Sequence, residues 1–389
     1  MASTAPELQG LNFNLSEEHR AVQEAARDFA QQELLPGIVE RDNEARFPSE
    51  QVKRMGELGF MGMMVTPEYG GSGLDTVSYV IALEEIAKID PSAAVIMSVN
   101  NSLVCFGLEA YGTEEQKQKY LTRLATGEVI GAFCLSEPEA GSDATSQATM
   151  AEDKGDHYLL NGTKNWITNG NSSSICLVIA QTDREKKHHG INCLLVEKET
   201  PGFVVGKKED KMGIRASDTH SLLFTDVQVP KENRIGEDGF GFKFAMTTLN
   251  GGRIGIAAQA LGIAAGAYEL ALKYSQERKS FGKQIFDHQA IQFKLADMAT
   301  RIEAARLLVY KAARLKDEHK DYVQAAAMAK LFASDVAMWA TTEAVQIHGG
   351  YGYVKKFHVE RLMRDAKITQ IYEGTSEIQK LVIARELIK

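Results

Sequence analysis

Between Ile291 and Ala312 the chain sets Ile291, Leu295, Met298, Ile302, Ala305, Val309 and Ala312 at alternating steps of four and three. Such spacing holds one apolar stripe on one side of a helix for about six turns, which predicts a long helix with its seam buried against others. Ala325, Met328, Phe332, Val336 and Trp339 repeat the step, and Ile254 to Ala271 is rich in Ala and Gly, small enough for helices to approach closely. Residues 239–389 therefore read as a C-terminal four-helix bundle.

Residues 1–126 read as an N-terminal helical domain. Ser16 suits an N-cap, Glu17 and Glu18 fall in the first turn, and Val22, Ala25, Ala26, Phe29 and Ala30 recur at helical spacing until Pro36. Further helices are expected from Ser49 to Leu58, stopping at Gly59, from Thr76 to Ile89, stopping at Pro91, and from Glu114 to Ala125. Ala93 to Tyr111 is apolar with Asn100, Asn101 and Ser102 set into it. After Gly127 the texture changes to short apolar runs, Ile130 to Leu135, Ile175 to Gln181 and Ile191 to Glu197, and Leu223, Thr225, Val227 and Val229 alternate up to Pro230. The expected fold is α+β, mostly α, with a β-barrel or sandwich-like middle domain at 127–238 between the two helical domains.

Several functions are excluded or disfavoured. A net charge of -8 argues against general nucleic-acid binding. The four cysteines, Cys105, Cys134, Cys176 and Cys193, form no Cys-x-x-Cys pair, which suggests neither a zinc site nor a disulfide framework and fits a reducing compartment. No apolar run reaches the roughly 20 residues of a membrane helix, and a first arginine at Arg20 resembles neither a signal nor a transit peptide. No Gly-x-Gly-x-x-Gly opens a helix after a strand and no P-loop occurs. His188 and His189 read as a solvated turn, so no metal is expected, and neither Ser136 nor Ser142 stands in a nucleophile elbow.

Near the C-terminus the chain reads QIYEGTSEIQ, residues 370–379. Alone, this is a helix start with Thr375 as N-cap and Glu373 as a solvated charge. Its company alters that reading. Residues 133–143 are FCLSEPEAGSD, 163–170 TKNWITNG, 346–353 QIHGGYGY, 211–219 KMGIRASDT and 278–285 RKSFGKQI. Together, in this order and over nearly the whole chain, they resemble the flavin-dependent acyl-CoA dehydrogenases, most of all the short-chain members that act on butyryl-CoA.

The resemblance implies FAD as cofactor and Glu373 as the catalytic base. The base takes the α-proton of an acyl-CoA thioester while the β-hydrogen leaves as hydride to flavin N5, giving a trans-2-enoyl-CoA. So weak a carbon acid calls for a base with a raised pKa in a dewatered site and for donors at the thioester carbonyl. The family's alternative base position, on the helix that begins near residue 250, is Gly252 here, so Glu373 has no rival. Phe133, Leu135, Ser136 and Ser142 would line the flavin and thioester crevice. Trp166, Ile167 and Thr168 would meet the ring. Arg278, Phe281 and Gln289 would reach the FAD pyrophosphate of a neighbouring subunit, Gln346, Gly349 and Gly350 would cradle its adenine side, and Thr375 and Glu377 would add contacts. Ser142, Asn250, Arg253, Tyr372 and Gly374 would bind substrate.

An FAD site completed across subunits implies a homotetramer, a dimer of dimers, and the family analogy names electron-transferring flavoprotein as electron acceptor. Location is expected to be cytoplasmic, or the mitochondrial matrix if a transit peptide has been removed. VIMSVNNSL, 95–103, has no Arg or Lys to receive a distal carboxylate, which disfavours glutaryl-CoA and favours a short acyl chain. A short branched substrate, an acyl-CoA oxidase, and a CoA-thioester lyase or desulfinase on the same fold are the alternatives. Asn250 stands where many members have aspartate, Glu139 replaces a common glycine, and Lys356 replaces a usual acidic residue.

Overall fold

The computed structural model describes residues 15–389; the reading of the segment before Ser16 lies mostly outside them. Helix α1 (Glu17–Phe29) starts where Ser16 Oγ accepts from the His19 amide, and a π-helical stretch carries it to Leu34, just before Pro36 removes the next amide donor. Then come α2 (Ile38–Glu44), α3 (Ser49–Glu57), α4 (Thr76–Ile89) and α5 (Pro91–Ser98). A π-helical stretch (Val99–Cys105) joins α5 to α6 (Phe106–Tyr111), and the short α7 (Glu114–Gln116) and α8 (Thr122–Ala125) follow. The asparagines set into this apolar helix are buried couplers. Asn100 Nδ2 donates to Met61 O and Leu124 O while its Oδ1 accepts from Gly131 N, and Asn101 bridges Phe60 O and the Met63 amide.

The middle of the chain is one mixed sheet of β1 (Gly131–Cys134), β2 (Met150–Asp153), β3 (His157–Thr168), β4 (Ile175–Gln181), β5 (Ile191–Glu197), β6 (Phe203–Lys208), β7 (Thr219–Pro230) and β8 (Arg234–Ile235). Its order is β6-β7-β3-β2-β4-β5-β8, with β1 parallel to β4. Both central apolar runs, β4 and most of β5, are buried on both faces. The alternation expected in β7 is half wrong. Val227 and Val229 are buried, but Leu223 and Thr225 face outward and Leu222 and Phe224 take the core. A bulge at Asp226, whose φ is 51°, inserts one residue between the Leu160–Val227 and Gly162–Phe224 pairs and flips the phase, with Asn161 holding the Asp226 amide.

The sheet is pinned beneath by a buried ion pair. Lys164 Nζ donates to Glu137 Oε1 at 2.7 Å, to Gln147 Oε1 at 2.8 Å and to Leu135 O at 3.1 Å, and Glu137 also accepts from the Ala148 and Thr149 amides. Burial draws the lysine down to about 8 against the pull of Glu137. Burial also pushes Glu137 upward, but the Lys164 ammonium and the Ala148 amide outweigh it and hold the carboxyl below its ordinary value. Lys164→Met strands that carboxylate, and about 3–5 kcal/mol of unfolding free energy should be lost in denaturant titrations. Adding Glu137→Gln should recover most of it.

The C-terminal part holds α9 (Gly241–Glu277), the hairpin β9 (Lys279–Ser280) and β10 (Lys283–Gln284), α10 (Gln289–Asp317), α11 (Val323–His348), α12 (Val359–Ile368) and α13 (Ser376–Leu387). On α10 the stripe from Leu295 to Ala312 is buried as its spacing predicts, with Ile291 at the margin. On α11 the expected stripe is displaced. Val336 is buried, but Ala325, Met328 and Trp339 lie at the edge and Phe332 is exposed, while Ala326, Ala329, Ala333, Ala337, Ala340 and Ala344 form the core face. Small side chains win that face because α11 lies close along α9, so the larger residues are turned to the flanks. Gly262 of α9 is equally constrained: a Cβ there would lie 2.4 Å from Glu84 O on α4.

One expectation about apolar length is corrected. Pro91–Tyr111 and Gly241–Glu277 are long and apolar enough to cross a membrane, with mean hydropathy 1.4 and 1.3, but 83% of each window is covered by the rest of the protein. They are core helices of this fold. The four cysteines are buried and free, and His188 and His189 are exposed with their rings 4.0 Å apart.

Candidate active site

Glu373 stands in the turn between α12 and α13, with φ 51°, followed by Gly374 at φ 90°. Thr375 Oγ1 accepts from the Ile378 amide and so caps α13, as its sequence position predicts. Glu373 is half-buried, with one carboxylate oxygen out of solvent. Its Oε2 is buried without a hydrogen-bond partner among the described residues. It is aimed at Gly252 of α9, where a Cβ would sit 2.0 Å from Oε2 and 2.8 Å from Leu103 Cδ2. The missing side chain at 252 thus makes room for the acid. Burial pushes the Glu373 carboxyl up to about 7, with the Lys330 and Arg253 charges opposing.

Around this group are two cations and a tyrosine. Arg253 is buried, its Nη1 donates to Asn250 Oδ1 at 2.6 Å, and its Nε finds no partner among the described residues. Lys330 Nζ donates to Gly374 O at 2.7 Å. The Tyr372 hydroxyl donates to Gln259 Oε1, and Gln259 in turn is anchored on Pro91 O. The Glu373 amide has no acceptor among the described residues.

The sheet supplies a second wall. Phe133 and Leu135 belong to the apolar cluster that contains Val99 and Leu103, with Leu249 and Tyr372 packed against it. Ser136 is half-buried beside them, and its carbonyl accepts from the Asn165 amide. At the irregularity in β3 between Lys164 and Ile167, Trp166 takes φ 61° and is left 60% exposed. Thr168 is half-buried, but the Ile167 side chain is turned into the sheet core, which leaves only its backbone for a ligand. Ser142 is exposed on a loop braced by Asp143, which accepts from the Thr145 and Ser146 hydroxyls.

Six of the expected residues lie elsewhere. Arg278 and Phe281 follow the far end of α9, Gln289 opens α10, Gln346 lies in the last turn of α11, and Gly349 and Gly350 follow that helix. These two loops meet each other: the Arg278 guanidinium lies 5.5 Å from the Tyr351 ring centroid, and the Tyr274 and His348 rings stack at 4.3 Å. Phe281 is 94% exposed at φ 53°. Since Gly252 and Arg278 are separated along one helix by about 39 Å, this cluster lies well away from Glu373. Thr375 and Glu377 stay with the base turn, Glu377 exposed.

Sequence reasoning missed Lys330, Gln379 and Gln259. For Lys330 there was a signal, a lysine on the alanine face of α11; for the two glutamines there was none, since an amide on a buried helix face is visible only once the neighbouring backbone is placed.

Residues 16–128, 132–227 and 239–388 match the family models described as Acyl-CoA dehydrogenase N-terminal, middle and C-terminal domain. The chain is 52% identical over 379 residues to the short-chain specific acyl-CoA dehydrogenase of Clostridium acetobutylicum, covering 97% of this chain and 100% of that one. Among solved structures it matches butyryl-CoA dehydrogenase from Megasphaera elsdenii at TM-score 0.96 and 50% identity, covering 97% and 100% of the two chains. It matches equally a chain solved in work on the electron transferring flavoprotein of Acidaminococcus fermentans, at TM-score 0.96 and 53% identity, with the same coverage. On the full-length match of all three domain models and on this identity, the chain belongs to the acyl-CoA dehydrogenase family.

Proposed function

We propose that this protein oxidises a short, butyryl-like acyl-CoA to its trans-2-enoyl-CoA, with FAD as cofactor and Glu373 as base. The observation that carries the reading is Glu373 Oε2, buried, without a hydrogen-bond partner among the described residues and set against Gly252. A substrate whose α-carbon comes up to the carboxylate meets a base with one oxygen already out of solvent, and its thioester oxygen would find the Glu373 amide as a donor. Arg253, held by Asn250, adds positive charge beside the developing enolate.

The residues present fit FAD. Trp166 offers an exposed indole face and Thr168 a hydroxyl beside it, next to the apolar wall of Phe133 and Leu135 and the backbone of Ser136. When bound, the flavin supplies the acceptor for the β-hydride. The Arg278 and Gly349–Gly350 cluster is exposed and lies about 39 Å along α9, which favours its serving the FAD of a second copy of the chain, within a homotetramer. Gly349 and Gly350 have open space where a Cβ would stand, as a cradle for a ligand requires.

A short substrate is favoured by the pocket wall, since Val95, Val99 and Leu103 are buried and apolar and no Arg or Lys lies between 95 and 103. We take electron-transferring flavoprotein as the acceptor, on the likeness to the chain solved in the Acidaminococcus fermentans work, and a reducing compartment, cytoplasm or mitochondrial matrix, in line with four free cysteines. The test is anaerobic mixing of the FAD-loaded protein with C4 to C8 acyl-CoA. Flavin bleaching and an enoyl-CoA product by mass spectrometry are expected; no bleaching with any of them would refute the assignment.

The pH dependence has a definite sign. Proton abstraction needs the carboxylate form, and burial raises Glu373 to about 7. Flavin reduction should therefore slow as pH falls through about 7 and reach a plateau above it, rather than titrating near the ordinary glutamate value. Stopped-flow reduction rates from pH 5.5 to 9 measure that limb.

A further inference from the structure

Lys330 is on the face of α11 that packs against α9, and its side chain is entirely buried. Among alanines that let two helices touch, a lysine is the residue least expected, because its ammonium must be desolvated. Its Nζ donates to one acceptor among the described residues, Gly374 O. Gln379 Nε2 donates to the same oxygen at 2.9 Å and to Glu373 O at 3.3 Å. Both carbonyls of the left-handed Glu373–Gly374 turn are thus held by buried side-chain donors.

We infer that Lys330 is a positioning residue for the base: by holding the Gly374 carbonyl together with Gln379, it keeps the Glu373 carboxylate and amide turned into the crevice, and its charge favours the ionised acid. A non-glycine residue at φ 51° is uncommon and persists where its surroundings hold it. A charged donor to a buried carbonyl does so more firmly than a neutral one. Among the groups that face Glu373 are the cations Lys330 and Arg253, and the hydroxyl of Tyr79 on α4 and the neighbouring Tyr372 feel its charge. Asp335 and Glu377 face Lys330, along with Arg253. Burial draws Lys330 down to about 8, with Glu373 opposing, so the lysine stays largely charged across the range in which the base ionises.

The inference rests on Glu373 being the base, and the experiment separates the two. Lys330→Met, Lys330→Gln and Lys330→Arg are compared with the parent and with Glu373→Gln, all FAD-loaded and reduced anaerobically with butyryl-CoA. Lys330→Met should lower the limiting reduction rate by about 10–100-fold and move its acid limb up by roughly one pH unit or more. Lys330→Gln, keeping a donor without the charge, should regain much of the rate at high pH but keep the displaced limb; Lys330→Arg should restore both in large part. As a readout independent of turnover, the infrared carbonyl band that Glu373→Gln removes should titrate at the same shifted pH in Lys330→Met. A merely structural lysine would lower Tm and leave both midpoints in place. A folded Lys330→Met with parental rate and limb overturns the inference; if that variant fails to fold, an unmoved limb in Lys330→Gln does so. Flavin reduction surviving in Glu373→Gln would instead refute the base assignment.

Discussion

Glu373→Gln should leave a folded, yellow protein that binds acyl-CoA and does not reduce its flavin. The amide is nearly isosteric with the acid, so the gap at Gly252 stays filled, and the turn that carries it is held by backbone carbonyls that the change does not touch. What disappears is the carboxylate that faces Gly252. Positioned bases contribute about 10²–10⁴-fold, and with no second acid to take over, the loss should fall at or beyond the upper end. Single-turnover bleaching measures it. The same variant should also be slightly more stable than the parent above pH 7. There the parent has to keep a desolvated charge that it would shed at lower pH, since burial raises its pKa to about 7, whereas the amide carries none.

Gly252→Ala is the second large effect, and it acts from the opposite wall. The added Cβ would stand 2.0 Å from Glu373 Oε2 and 2.8 Å from Leu103 Cδ2, so the carboxylate has to leave its position. Displacing a reacting group by about 1 Å costs on the order of 10²-fold, and reduction should slow by at least that much. Stability should behave differently. Alanine inside α9 gains about 1 kcal/mol of helix propensity over glycine, which offsets part of the crowding against Leu103. Activity and Tm are therefore expected to separate, with a severe loss in the first and a small change in the second. An equal fall in both would point to general unfolding of α9 and away from a steric conflict with the base.

Much of the architecture was legible in the chain because its periods are unambiguous. The α10 stripe, the Ser16 cap, the Pro36 stop and the mostly apolar β4 and β5 each follow from spacing or from a single residue's backbone chemistry. Where the reading slipped, a tertiary feature had intervened. One extra residue at Asp226 reversed the phase of β7, and the close approach of α11 to α9 put alanines inside and moved Phe332 out. Neither is coded by hydrophobicity alone.

For the site, the residue types on hand could be read from the chain: an acid before a glycine and a capping threonine, a tryptophan in a strand, glycines at 349 and 350, and no competing carboxylate at 252. What they became was set by the packing of the helices. It took one oxygen of Glu373 out of solvent, put Gly252 against it, bound its turn to Lys330 and Gln379, and sent Arg278 to the far end of α9. The reason is that a pKa and a clash depend on distances between groups on different helices, and such distances exist only once the helices have packed.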